Sequence, residues 1–154
     1  MIQRYEIAII GADSAIGEAV MELLVERHFP AGEMSALVLD PDSEATIDFA
    51  GRPMLLDDAR TFDFGQVQLA FLTDAHPELA AEAERAADAG VIVIDAAAHP
   101  WRDSSIPLVV ADLNPKALSR VKERGIAAAP DRLVVALAPV LGVLDALIGL
   151  REVS

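Results

Sequence analysis

Ile7-Ala8-Ile9-Ile10-Gly11-Ala12-Asp13-Ser14-Ala15-Ile16-Gly17-Glu18-Ala19-Val20 runs from an apolar segment through a glycine and a short loop to a second glycine that opens a helical pattern. A first βα turn reads this way when it cradles the phosphates of a dinucleotide. The strand delivers the loop, Gly11 permits a tight turn and close backbone approach, and the helix start offers N–H groups to an anion. Gly17 lets the helix pack closely on the strand. The spacing is Gly-x5-Gly, not G-x-G-x-x-G, so its setting between strand and helix carries the reading. Gly11, Ala12, Asp13, Ser14, Ala15, Ile16 and Gly17 are the candidate cofactor-binding residues. A βα turn with no ligand reads alike.

Outward from this turn, apolar and amphipathic segments alternate. Tyr5–Ile10 reads as a buried strand and residues 16–27 as a helix with Val20, Leu23 and Leu24 on its apolar face. Strands are expected at 34–39, 68–72, 91–94, 108–110 and 126–128. A short hairpin is expected from 45–49 and 52–56 around Ala50-Gly51. Helices are expected at 78–89, closed by Gly90, and at 115–124, opened by Pro115 and closed by Gly125. Strands alternating with helices predict a Rossmann-like, doubly wound α/β domain, with a mostly parallel sheet and helices on both faces. Residues 1–154 read as one dinucleotide-binding domain, complete or the first domain of something longer.

Composition narrows the function classes. Apolar residues make up 53% of the chain and charged residues 24%; 12 basic against 25 acidic residues give a net charge of −13. A surface of that sign repels nucleic acid and anionic membranes and disfavours anionic cofactors unless local geometry compensates. Cysteine is absent, which excludes disulfides, thiolate metal sites and a thiol nucleophile in this sequence. The N-terminal residues lack the apolar core of a signal peptide, so a cytoplasmic location is expected. Asp57-Asp58 and Asp74 with His76 read as helix caps and turns, not metal ligands.

Between Leu133 and Leu150 the only charge is Asp145. Pro139, Gly142 and Gly149 interrupt this stretch and a complete run of α/β segments precedes it, so no membrane span is expected. It reads as a helix covered on several sides by protein, through a homodimer or a covering partner domain.

The blocks Gly11-Ala12-x-x-Ala15-Ile16-Gly17 and Glu26-Arg27-His28-Phe29-Pro30 resemble the start of aspartate-semialdehyde dehydrogenases. The likeness continues through Ala89 to Asp95, Trp101-Arg102, Ile106 to Val110, Leu113-Asn114-Pro115, Ile126 to Pro130 and Val134 to Pro139, in one order along nearly the whole chain. It implies an NAD(P)-binding domain. It also implies a catalytic cysteine in an Asn-Pro-Asn-Cys turn, but this chain reads Ala128-Ala129-Pro130-Asp131-Arg132 there and lacks that segment. His28, His76 and His99 match no catalytic histidine of the family. Ser14 replaces the middle glycine of the phosphate loop and Asp13 its neighbouring threonine; a serine can donate to phosphate, whereas an aspartate repels it. Thr73-Asp74-Ala75-His76-Pro77 stands where the family has a glycine-rich loop, with Thr73 a candidate cofactor contact.

Arg102 matches a family arginine that grips phosphate, or it forms a surface ion pair with Asp103 or a neighbour. Asp40, closing the second strand, accepts from the adenosine ribose and disfavours a 2′-phosphate, or it simply orders an Asp-Pro turn. The cofactor expectation is therefore NAD over NADP, or none. The expected function is a semialdehyde dehydrogenase-like domain without thiol catalysis, serving as a binding or assembly module. One alternative is an oxidoreductase acting on an aldehyde or oxo group, with its catalytic half on further residues or a partner chain. The other is an interaction module with no cofactor.

Overall fold

The computed structural model describes residues 3–42, 44–99, 103–111 and 113–149. Among these, seven strands form one sheet in the order β3-β4-β2-β1-β5-β6-β7. The strands are β1 (Tyr5–Ile10), β2 (Ala31–Val38), β3 (Thr46–Phe49), β4 (Arg52–Asp58), β5 (Leu69–Leu72), β6 (Ile92–Asp95) and β7 (Ile126–Ala128). Every pairing is parallel except β3 with β4 at the edge. The helices are α1 (Ala15–Glu26), α2 (Pro77–Asp88), the short α3 (Val121–Arg124) and α4 (Arg132–Ile148). The doubly wound reading holds.

Strand alternation sorts the core into two layers. Ala8, Ile10, Leu37, Ala70 and Leu72 point to one face, under α2 and the segment carrying Phe62 and Phe64. Ile7, Ile9, Ala36 and Val38 point to the other, where Met21 of α1 meets them. Full burial of a side chain of this size is worth about 1.5–3 kcal/mol, so the two layers hold β1 centrally. On the α2 side, Arg85 donates through Nη2 to Ala59 O at 2.6 Å and through Nη1 to Phe62 O at 2.9 Å. Its guanidinium lies 4.6 Å from the Phe64 ring centroid. A single side chain thereby fastens the segment after β4 to α2.

Several expectations need correction. α1 buries Gly17 and Met21, with Val20 and Leu24 half-buried, while Leu23 is 47% exposed. The helix meets the sheet along the Gly17–Met21–Leu24 line, which leaves Leu23 outside. β2 starts at Ala31, ahead of the expected residue 34, because Pro30 O accepts from Tyr5 N at 3.0 Å and the Glu6 carboxylate accepts from Glu33 N. The hairpin's second strand runs on to Asp58 and joins the main sheet beside β2. The expected strand at 108–110 is a single bridge from Leu108 to Ala128. The Asn114 side chain ends it, accepting from Val110 N at 2.6 Å and donating to Leu108 O at 2.9 Å. The expected helix at 115–124 is a 3-10 segment, Pro115–Arg120, followed by α3.

Pro139 and Gly142 do not break α4, which runs continuously. None of its residues is buried: Leu133 and Leu147 are 70% and 75% exposed. No helix among the described residues is long and apolar enough to cross a membrane.

Candidate functional site

The parallel register brings the carboxyl ends of β4, β2, β1, β5 and β6 to one edge of the sheet. Chain order reverses between β1 and β5: β2 continues to one side and β5 lies on the other. Open α/β sheets bind ligands in the crevice at such a reversal.

Gly11 ends β1 there with φ of +88°. Its N–H donates to Leu37 O at 2.8 Å, as does that of Ala12 at 3.1 Å. A Cβ on Gly11 would stand 2.8 Å from Asp74 Cβ and 3.1 Å from Asp74 N. A Cβ on Gly17 would stand 2.8 Å from the carbonyl oxygens of Gly11 and Ala12. Both glycines are thus required by close backbone approach, at either end of one turn. Gly11, Ala12 and Gly17 are buried within it, while Asp13, Ala15 and Ile16 are exposed and Ser14 is half-buried.

Ser14 caps α1. Its hydroxyl oxygen accepts from Gly17 N at 2.9 Å, and its proton goes to Thr73 O at 2.9 Å. The hydroxyl therefore braces the turn against β5 and is not a spare donor for phosphate. Ser14 O accepts from Glu18 N at 3.0 Å, the first bond of the helix. Ala15 and Ile16 contribute the helix-start N–H groups that Ser14 does not take up. Thr73 is equally committed: 1% exposed, its hydroxyl lies 2.9 Å from Ile10 O and 2.8 Å from Gly11 O. Thr73 fixes the shape of the turn from beneath. Thr73→Val should lower stability by about 1 kcal/mol, the worth of such a bond; urea unfolding would read it as a lower midpoint at unchanged slope.

The residues present fit a pyrophosphate in one respect and resist it in another. A cradle that a Cβ would fill, at a helix start, suits an anion. The exposed Asp13 carboxylate beside it opposes that charge. Asp74 Oδ1 accepts from His76 N at 2.8 Å, and His76 Nδ1 accepts from Glu78 N at 3.3 Å, so this pair orders the entry to α2 as the turn-and-cap reading expects.

On the β2 side of the reversal, Asp40 lies past β2 with φ of +49° and pairs with Arg60, past β4. Arg60 Nε lies 3.0 Å from Asp58 Oδ1 and Nη2 3.1 Å from Asp58 Oδ2, and Nη1 stands 3.9 Å from Glu78. The Arg60 side-chain and backbone hydrogen bonds hold the Asp58 carboxyl below the usual carboxylate range. Arg60 is the residue at this edge that the sequence reading missed. Its signal is that Ala59-Arg60 directly follows Asp57-Asp58 at the end of a strand placed next to β2, and the hairpin reading ended that strand too early.

On the far side, Asp95 is fully buried at the end of β6, and its carboxylate accepts from Ala97 N at 2.8 Å and His99 N at 2.9 Å. Arg102 lies outside the described residues. Asp103 is bonded by Ser105 Oγ at 2.6 Å and N at 2.8 Å, and lies 2.8 Å from Arg124 Nε. The Ser105 and then the Arg124 interactions hold its carboxyl below the usual range. β7 passes through residues 129–131 into α4, where the Asp131 carboxylate accepts from Leu133 N at 2.8 Å as the cap. A helix cap occupies the turn in which the resemblance implies a thiol. Among the described residues, no three His, Asp or Glu side chains cluster as metal ligands would.

Residues 6–121 match the family model described as semialdehyde dehydrogenase, NAD binding domain. The chain is 39% identical over 145 residues to aspartate-semialdehyde dehydrogenase 2 of Vibrio cholerae, covering 91% of this chain and 43% of that protein. It is 33% identical over 150 residues to a USG-1 protein homolog of Azotobacter vinelandii, covering 97% and 44%. The crystal structure of aspartate semialdehyde dehydrogenase II complexed with ASA from Vibrio cholerae superposes with a TM-score of 0.86 at 36% identity, over 96% of this chain and 48% of that one. The chain thus spans less than half the length of these relatives.

Proposed function

This chain belongs to the family of semialdehyde dehydrogenase NAD-binding domains, and from that premise we propose that it binds NAD, in preference to NADP, as a non-catalytic binding or assembly module. The turn at residues 11–17 carries the reading: two glycines allow no Cβ, and the turn opens onto a helix start at the reversal of strand order. Backbone N–H groups of Ala15 and Ile16 hold the pyrophosphate, Asp40 accepts from the adenosine ribose, and Ser14 and Thr73 keep the turn in shape. Bound NAD supplies a hydride acceptor. Three carboxylates around the single Arg60 guanidinium disfavour a 2′-phosphate on charge.

The non-catalytic part rests on the missing nucleophile. Acyl transfer through a thioester needs a thiolate, this sequence has no cysteine, and Asp131 caps the helix in the corresponding turn. The exposed apolar α4 supports an assembly role with a second copy or a covering domain. A second reading is favoured by the greater length of the relatives: the domain supplies the nucleotide half of an oxidoreductase whose catalytic half lies elsewhere. Titration calorimetry with NAD and NADP, with an assay of NAD(P) reduction coupled to oxidation of a semialdehyde in the presence of phosphate, tests both. The proposal expects NAD binding without turnover. Turnover by the purified chain would overturn its non-catalytic part, and a folded chain giving no heat with NAD would overturn the site.

A further inference from the structure

Resting on the reading of this crevice as an NAD site, we infer that Arg60 is a latent 2′-phosphate receptor, masked by Asp40, and that this pair sets the choice between NAD and NADP. In the parallel register Val38 of β2 stands opposite Asp58 of β4. Two residues past the end of each strand, Asp40 and Arg60 meet as an ion pair over the carboxyl edge, on the side of β1 where β2 lies. That is the adenosine side of the crevice.

The placement of Arg60 does not depend on Asp40. Asp58 holds the guanidinium through two contacts, at Nε and Nη2, and Asp58 Oδ1 also accepts from the Arg60 backbone N–H at 3.0 Å. Asp40 binds the same guanidinium at Nη2 through Oδ1. A carboxylate so engaged keeps its second oxygen for a ribose hydroxyl, so Arg60 also orients the acid that reads NAD. With Asp40 removed, Asp58 still anchors Arg60, and Nη2 loses one of its two carboxylate partners. The local charge becomes less negative by one, and a forked guanidinium suits phosphate oxygens. Both members of the pair are exposed, Asp40 by 81% and Arg60 by 38% of the side chain, so neither is needed for the core.

The test titrates the full chain and its Asp40→Ser, Arg60→Met and double variants with NAD and with NADP, at low and high salt, after thermal melts show all four folded. Wild type should prefer NAD. Asp40→Ser should move the NADP-to-NAD affinity ratio by about tenfold or more toward NADP, as a charge-assisted bond implies. The double variant should lose that gain, and NADP binding by Asp40→Ser should weaken as salt rises. An Asp40→Ser chain that gains nothing for NADP, or gains it equally without Arg60, overturns the inference while the NAD site stands. A wild-type chain that binds neither nucleotide overturns the site itself, and the inference with it.

Discussion

Gly11→Ala should abolish NAD binding and lower the unfolding free energy by about 3 kcal/mol, the sum of two separate penalties. The first is conformational: φ of +88° is a region that L side chains rarely adopt. The second is steric, because the added methyl meets Asp74 Cβ at 2.8 Å and Asp74 N at 3.1 Å. Relief requires β1 and β5 to move apart at their carboxyl ends, and the Thr73 bonds to Ile10 and Gly11 carbonyls resist that movement. Any relaxation that does occur shifts the turn away from the helix start and spoils the cradle. Urea unfolding reads the first effect and calorimetry the second. A folded Gly11→Ala chain with wild-type affinity for NAD would show that the nucleotide is held elsewhere.

Replacing Leu137 and Val140 together by glutamate should abolish association through α4, with at least a 100-fold loss of affinity if these side chains sit in the buried centre of the contact. Leu133, Leu137, Val140, Leu144 and Leu147 recur at alternating intervals of four and three and form one seam, with Val135, Val143 and Ile148 outside it, all of them exposed. A helix apolar all round is ordinarily covered all round. Because α4 turns Ala138, Pro139, Leu141 and Gly142 toward the body and leaves Leu137 and Val140 more than half exposed, the same double substitution should leave the body's stability within about 0.5 kcal/mol, as surface changes do. Sedimentation velocity on both proteins, with thermal melts, separates the two effects. A wild-type chain that stays monomeric at all concentrations, with no covering domain joined to it, would remove the assembly role.

The parts of the fold legible in the sequence were those with short-range signals. Ile7 to Ile10 form an unbroken apolar run that stops at a glycine, and both glycines of the turn stand where close approach demands them. Glu78 to Ala89 carries a strong helical pattern closed by Gly90, and α2 spans most of it. Pairing between distant segments was harder to read. Nothing local to Asp57-Asp58 reveals that β4 lies parallel to β2, and without that neighbour Arg60 is one more exposed arginine. Asn114 has no apolar signature, yet its side-chain amide ends the bridge at Leu108. Ser14 looked like a phosphate donor by residue type. Its proton belongs to Thr73 O, a partner supplied by tertiary contact alone.

Arg85 ties the edge that carries Asp40 and Arg60 to the far layer of the molecule. Its two bonds grip the carbonyls of Ala59 and Phe62, on either side of Arg60, from the half of α2 beyond Glu78. Sequence drift along α2 that shifts Arg85 by a fraction of an ångström moves Arg60 with it. On the proposed reading of the crevice, cofactor preference is then heritable through a helix surface as well as through the residues proposed to meet the nucleotide, and a lineage has a route to retune it without altering any of them.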